Sequence, residues 1–402
     1  MKVKTIGRAA VMGIGTIVAL AVAATPAVAD PDPATEFRQL AGVGSDTTQD
    51  LGNGLGEALG AGDVVASWDA RPPAGATTTI KTKASGCSFQ RPNGSGQGRQ
   101  ALRASEGEDL DGAGPGTAGQ FPAATGVNIQ GCVDFARSSS YGGGSTPSAS
   151  GPYTYIPAGV DAVTLAVHEN GDLPFQWSFA QIQRVYKCFD TAVAGNAVVP
   201  RMIQTGSGTW EFWIQPARMA ITENEINAGD YPCLAVDNDN NITTPAIPVH
   251  ARVQEHDGTV LNGNPTHVIP FSAGQYVAQS NHEVIEDVLA PVTVADRRGF
   301  AHPVAVSTTT VPNTEPVVGG VLNVNFPAPF RRDVYNVVPT ADLSNPTIAS
   351  TFVGTGSAVC SDTVTVNGQQ RRVIELFGFG YRGTFSSPLE ANCGYTSLRF
   401  TS

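Results

Sequence analysis

Along Val160-Asp161-Ala162-Val163-Thr164-Leu165-Ala166-Val167 nearly every position is apolar, which predicts a strand buried on both faces. The pattern then changes period. Phe179-Ala180-Gln181-Ile182-Gln183-Arg184-Val185-Tyr186 has helical spacing, and Ser178 stands where an N-cap belongs. Val268-Ile269-Pro270-Phe271 and Val334-Tyr335-Asn336-Val337-Val338 read as further strands. Leu51 to Leu59 is amphipathic despite three glycines, and Gln100 to Ala104 continues a second short helix. Strands alternating with short helices predict α/β lobes. Arg71 to Gly131 and Asn238 to Pro248 look like insertions in loops, and no repeat or coiled coil is present.

The start of the chain has a separate pattern. Lys2, Lys4 and Arg8 precede an apolar run from Ala9 to Ala24, followed by Thr25-Pro26-Ala27-Val28-Ala29. This predicts a secretory signal over residues 1–29 with cleavage after Ala29, giving a mature start at Asp30. The run is short for a membrane span. No cysteine lies near the cut to carry a lipid anchor, so a soluble extracytoplasmic protein is expected.

Composition narrows the partners. The chain has 402 residues, enough for two lobes of ordinary size, and a net charge of −11. Because the leader is basic, the mature chain is more acidic still. That disfavours nucleic acid and anionic membranes, but not a small anion held by local dipoles. Six cysteines fall into three neighbouring pairs: Cys87 with Cys132, Cys188 with Cys233, and Cys360 with Cys393. In an exported chain they are expected to form disulfides in that order, with some free buried thiols as the alternative.

Candidate chemistry lies in four Gly/Ser/Thr segments: Gly42-Val43-Gly44-Ser45-Asp46-Thr47-Thr48-Gln49, Asn93-Gly94-Ser95-Gly96-Gln97-Gly98-Arg99, Val133-Asp134-Phe135-Ala136-Arg137-Ser138-Ser139-Ser140, and Gln204-Thr205-Gly206-Ser207-Gly208-Thr209. In the first, second and fourth the small residues precede a helix. Such a turn offers free backbone N–H groups, hydroxyl donors and a favourable dipole. One such turn is ordinarily an N-cap. Four together predict a neutral cradle for a tetrahedral oxyanion.

In this order the first, third and fourth segments resemble the ligand loops of the phosphate-binding proteins of phosphate ABC transporters, Gly206-Ser207-Gly208-Thr209 above all. Ile156 to Leu165 is similar to that family's first inter-lobe crossing, and Val268 to Tyr276 to its return segment. The resemblance covers roughly residues 38–340. It implies a two-lobed α/β periplasmic-binding-protein-like fold of the second topological type, with two inter-lobe crossovers and a ligand cleft. Residues 36–157 plus 272–402 would form the first lobe and 158–271 the second. A monomer that binds inorganic phosphate, with an ABC permease as partner and no cofactor, follows from the same resemblance.

The candidate ligand set from the four segments is Ser45, Asp46, Thr47, Gly94, Ser95, Gly96, Arg137, Ser138, Ser139, Gly206, Ser207, Gly208 and Thr209. Charged positions depart from the family. Ile203 stands where it has an arginine, with Arg201 two residues further back, and Ser139 stands where it has an aspartate. Asp46 is therefore expected to accept the ligand's proton and Arg137 to balance the charge, unless Asp46 merely caps the following helix.

Other readings stay open. The fold reused as an extracellular interaction protein without phosphate binding is the alternative, and a hydrolase built on Ser207 comes third, since no histidine is assignable as its base. Glu255-His256-Asp257 and His282-Glu283 lack metal-site spacing and read as solvated loops. Asp237-Asn238-Asp239-Asn240-Asn241 reads as a turn, because Ile242 replaces the glycine of a calcium loop. Trp210 and Trp213 read as core or cleft wall.

Overall fold

The computed structural model describes residues 30–31, 37–59, 64–73, 76–117, 127–234 and 252–401. The expected leader, the 238–248 insertion and the 237–241 turn lie outside the described residues.

The elements that place the site are, in chain order, β1 (Leu40–Gly44), α1 (Gln49–Ala58), β2 (Val65–Ser67), α2 (Ser95–Ser105), β3 (Phe135–Ser138), β4 (Tyr153–His168), α3 (Phe179–Tyr186), β5 (Val199–Pro200), α4 (Gly208–Ile214), β6 (His267–Ser272), α5 (Ala273–Ser280), β7 (Ala301–Pro303), β8 (Arg331–Pro339) and β9 (Arg399–Phe400). A mixed sheet runs β5-β6-β4-β8-β3-β1-β2, with β7 and β9 also pairing to β4. β1 is parallel to β2 and β3, whereas β8 is antiparallel to β3 and β4.

β4 explains the arrangement. All sixteen of its residues are buried. Its first half pairs with β8 and β9, and its second half with β6 and β7. The apolar run at Val160 to Val167 is therefore the middle and end of one long strand covered on both faces, as its composition requires. Ser178 caps α3 with a full capping box, accepting from Gln181 N while Gln181 bonds back.

Hydrophobic residues gather into separate cores. Leu51, Leu55, Phe135, Phe352 and Phe377 belong to one, and Ala41, Trp68, Leu102, Tyr155 and Tyr335 to another beside it. Leu165, Trp177, Trp210, Trp213 and Phe271 belong to a third, which holds all three of these tryptophans in its interior. Ala301, Val304, Val306, Phe326 and Phe330 pack in this third core too, beside Leu165, Trp213 and Phe271. Apolar side chains follow the core they fill rather than their position in sequence. The structure corrects one expectation: Arg71 to Gly131 is not one inserted loop. It carries a hairpin, Thr79–Lys81 with Ser88–Gln90, and then α2 against β3.

The cysteines pair Cys87–Cys132, Cys188–Cys233 and Cys360–Cys393. With 45 residues between the first two pairs, the chain-entropy model gives about 4 kcal/mol for each of those bridges. No helix among the described residues is long and apolar enough to cross a membrane.

Candidate functional site

Each of the four segments ends a sheet strand or opens a helix, and they converge. Ser45 Oγ donates to Ser139 Oγ at 3.1 Å, Ser95 Oγ lies 3.3 Å from Ser139 Oγ, and Ser139 N–H donates to Ser95 Oγ at 3.0 Å. Thr47 Oγ1 lies 3.3 Å from Thr209 Oγ1. Gly96 N–H donates to Gly206 O at 3.0 Å, which joins the second loop to the fourth. Ser45, Asp46, Thr47, Ser95, Ser138, Ser139, Ser207 and Thr209 are wholly buried. Sequence separations of up to 162 residues are bridged within one cluster.

Glycine makes the convergence possible at two positions. A Cβ on Gly208 would stand 2.3 Å from Ser95 Oγ and 2.4 Å from Ser139 Oγ. Gly94 has φ +107 and lies against Gly206 O, where a Cβ would also collide.

Two expected charged residues are placed differently. Arg137 turns away from the hydroxyls: it donates to Ser67 Oγ (2.7 Å), Trp68 O (2.8 Å), Gly42 O (3.3 Å) and Ser45 O (3.4 Å). It ties β1, β2 and the first loop together from beneath. Asp46 is held by Arg297 through two bonds, 2.9 and 3.3 Å, and accepts from Gln254 at 2.8 Å. Burial pushes its carboxyl up, but Arg297, the nearby His256 and Gln254 bring it below the ordinary value. With those partners Asp46 is neither the cap of a helix nor an open acceptor. Ser138 faces Arg99 at 3.0 Å and donates to Ser140 O, at the edge of the cluster.

The cation beside the hydroxyls is Arg332. Its Nη2 donates to Thr209 Oγ1 at 2.8 Å and Thr47 Oγ1 at 3.3 Å. Asp161 holds it through Nε (3.0 Å) and Nη2 (2.8 Å). The carboxylate is itself fixed by Ser272 Oγ (2.7 Å) and Gly274 N–H (3.0 Å). Arg332 Nη1 is buried and has no hydrogen-bond partner among the described residues.

Glu255 and His256, expected in a solvated loop, are instead wholly buried in the cluster. Ser207 Oγ donates to Glu255 Oε2 while accepting from Thr209 N–H and Trp210 N–H. Among the described residues Glu255 Oε1 has no hydrogen-bond partner. Burial above all, reinforced by the Asp46 charge, raises this carboxyl to about 7. His256 is driven down to about 3, mainly by burial and further by Arg332 and Arg297, so the imidazole is neutral. Ser272 N–H donates to its Nδ1 at 3.3 Å, which leaves the proton on Nε2 to donate to Thr47 Oγ1 at 2.9 Å. Thr47 thus accepts from both imidazole and guanidinium, and its own O–H is left to donate.

Among the described residues no cluster of His, Cys, Asp and Glu has the makings of a metal site. Chemically the arrangement offers several O–H donors, one guanidinium nitrogen with unspent capacity and one carboxyl oxygen that can accept or share a proton.

No family model matches the chain, and no curated protein matches it. Among solved structures it is similar to phosphate-binding proteins. One is from Stenotrophomonas maltophilia, at 15% identity and TM-score 0.38 over 85% of this chain and 90% of that one. A human phosphate-binding apolipoprotein overlaps at 13% identity and TM-score 0.42, again over 85% and 90%. An ABC-type phosphate transport receptor from Vibrio cholerae overlaps at 14% identity and TM-score 0.33, over 54% of this chain and 71% of that one.

Proposed function

We propose that this chain is a secreted solute-binding protein that captures a small tetrahedral oxyanion, inorganic phosphate foremost, and delivers it unchanged to an ABC-type permease. The observation that carries the reading is that Arg332 and Glu255, each bonded through one atom to the hydroxyl cluster, each keep a second buried atom, Nη1 and Oε1, without a hydrogen-bond partner among the described residues. Leaving a buried polar group unpaired costs about 1–3 kcal/mol, and more when it is charged. A protonated phosphate meets both demands. Its oxygens accept from Arg332 and from the hydroxyls of Thr47, Ser95, Ser139 and Thr209, while its O–H serves Glu255. Sulfate brings acceptors alone.

Binding rather than hydrolysis fits the partners of Ser207, whose hydroxyl is engaged by Glu255 while His256 Nε2 faces Thr47 and Thr209. In this reading the first lobe hinges against the second across β4 and the β6–α5 junction, with 301–330 moving as part of the second.

Isothermal titration with phosphate, arsenate and sulfate tests it. One phosphate per chain, with arsenate comparable and sulfate weaker, is expected. Silence toward all three overturns the reading in favour of an extracellular interaction protein.

A further inference from the structure

Beside the hydroxyl cluster lies a recess of about 260 Å³ that shares Arg332 with it; Tyr141, Phe212, Arg218 and Tyr335 are among its other walls. This is room for roughly eight or nine water molecules, more than one tetrahedral ion fills. Two guanidinium groups rest against the same ring: Arg218 Cζ lies 3.2 Å from the Phe212 centroid and Arg332 Cζ 5.4 Å.

The two cations differ in what balances them. Arg332 has Asp161. Arg218 is 9% exposed, and among the described residues its guanidinium bonds only to neutral acceptors, Pro329 O and Gln215 Oε1, each at 2.7 Å. The carboxylates on the recess wall, Asp333 and Glu390, are taken by Arg382 and Arg331. Burial, with the Arg332 charge behind it, pushes Arg218 down to about 9. A buried cation that shares an aromatic ring with a second cation is a place for an anion.

Resting on the oxyanion reading of the hydroxyl cluster, we propose that the recess takes the organic part of the ligand: a small phosphomonoester bearing a carboxylate, its phosphoryl head on Arg332 and its carboxylate on Arg218. The aromatic walls cover the carbon chain between the two charged ends, and the guanidinium of Arg218 grips the carboxylate with paired N–H donors.

The test titrates the full chain with inorganic phosphate, ethyl phosphate and phosphoglycolate, which keep one head group while adding carbon and then carboxylate. Phosphoglycolate is expected to bind about tenfold or more tightly than ethyl phosphate, as one charge-assisted pair provides. Arg218→Met, which keeps the stem on Phe212, should abolish that difference while holding inorganic phosphate within about twofold. Arg218→Lys should restore part of it, with melting curves confirming that each variant folds. Equal binding of the two esters, or a Met variant that weakens phosphate and phosphoglycolate alike, overturns the subsite and leaves the oxyanion site standing. Failure of all three compounds to bind overturns both.

Discussion

Arg137 and Arg332 are both nearly buried, at 1% and 5% exposure, and both touch the first loop. Arg137 spends its donors on the carbonyls of Gly42, Ser45 and Trp68 and on Ser67 Oγ, with Asp50 and Asp69 close enough to offset part of the cost of burying its charge. Arg332 is fixed by Asp161 and bonds to hydroxyls, yet keeps one nitrogen unspent. One arginine has finished its bonding and holds the scaffold. The other is oriented by its partners with capacity left over, as a binding group must be. Burial and position in a Ser-rich loop do not separate the two; the donor count does.

The largest effects should come from exchanging each arginine for methionine. Arg332→Met should lower phosphate affinity by at least about 100-fold, within the range for truncating one partner of a buried charge pair. Arg137→Met should lower stability by about 2–4 kcal/mol, since several buried carbonyls lose their donor, while the folded fraction binds phosphate within about twofold of the parent. Calorimetric titration and urea melts on the same preparations read both. Equal loss of binding in the two variants would erase the distinction.

Glu255→Gln ranks next. An amide can donate to sulfate but cannot accept as a carboxylate does, so phosphate should weaken by about tenfold and sulfate should gain. The same variant carries a pH signature. Between the ordinary 4.5 and about 7 the folded chain holds a proton on Glu255 that the unfolded chain has released. Its contribution to stability is therefore complete below 4.5 and is lost as pH rises to about 7. Glu255→Gln should gain stability relative to the parent across that window in urea titrations, and parallel curves would refute the burial of an unpaired carboxyl there.

The smallest effect on selectivity belongs to Asp46→Asn. With Arg297 and Gln254 occupying Asp46, the preference for phosphate over sulfate should stay within about twofold, while stability falls by about 1–3 kcal/mol as the buried Arg297 loses its counter-charge. A collapse of the preference would return the ligand's proton to Asp46.

The hydroxyl half of the site was legible in the sequence because each contributor sits in a local signal. Ser45, Ser95, Ser139 and Ser207 are small residues at strand ends or before helices, a feature visible within a few positions. The strands at Val160 and Val334 were legible for the same reason, through their largely apolar runs. The charged half was not. Arg332 reaches the cluster only because β8 pairs antiparallel with β4 in a register that sets Arg332 against Asp161, and nothing near either residue encodes that register. Glu255 and His256 stand in a charged triplet that reads as surface. They are buried because the bridge between Ile203 and Val253 draws the segment inward. Arg137, expected to replace the family's missing positive charge, lies at the end of β3 and bonds to Ser67, Trp68, Gly42 and Ser45, whereas Ser139, just past the strand, bonds into the cluster.

A crystal structure grown with phosphate is the most direct measurement. The expected result is one oxyanion within hydrogen-bond distance of Arg332 Nη1 and Glu255 Oε1, ringed by the hydroxyls of Ser45, Thr47, Ser95, Ser139, Ser207 and Thr209. Density for the ion at Arg137, or a phosphate that binds in solution but is absent from this cluster in the crystal, would contradict it.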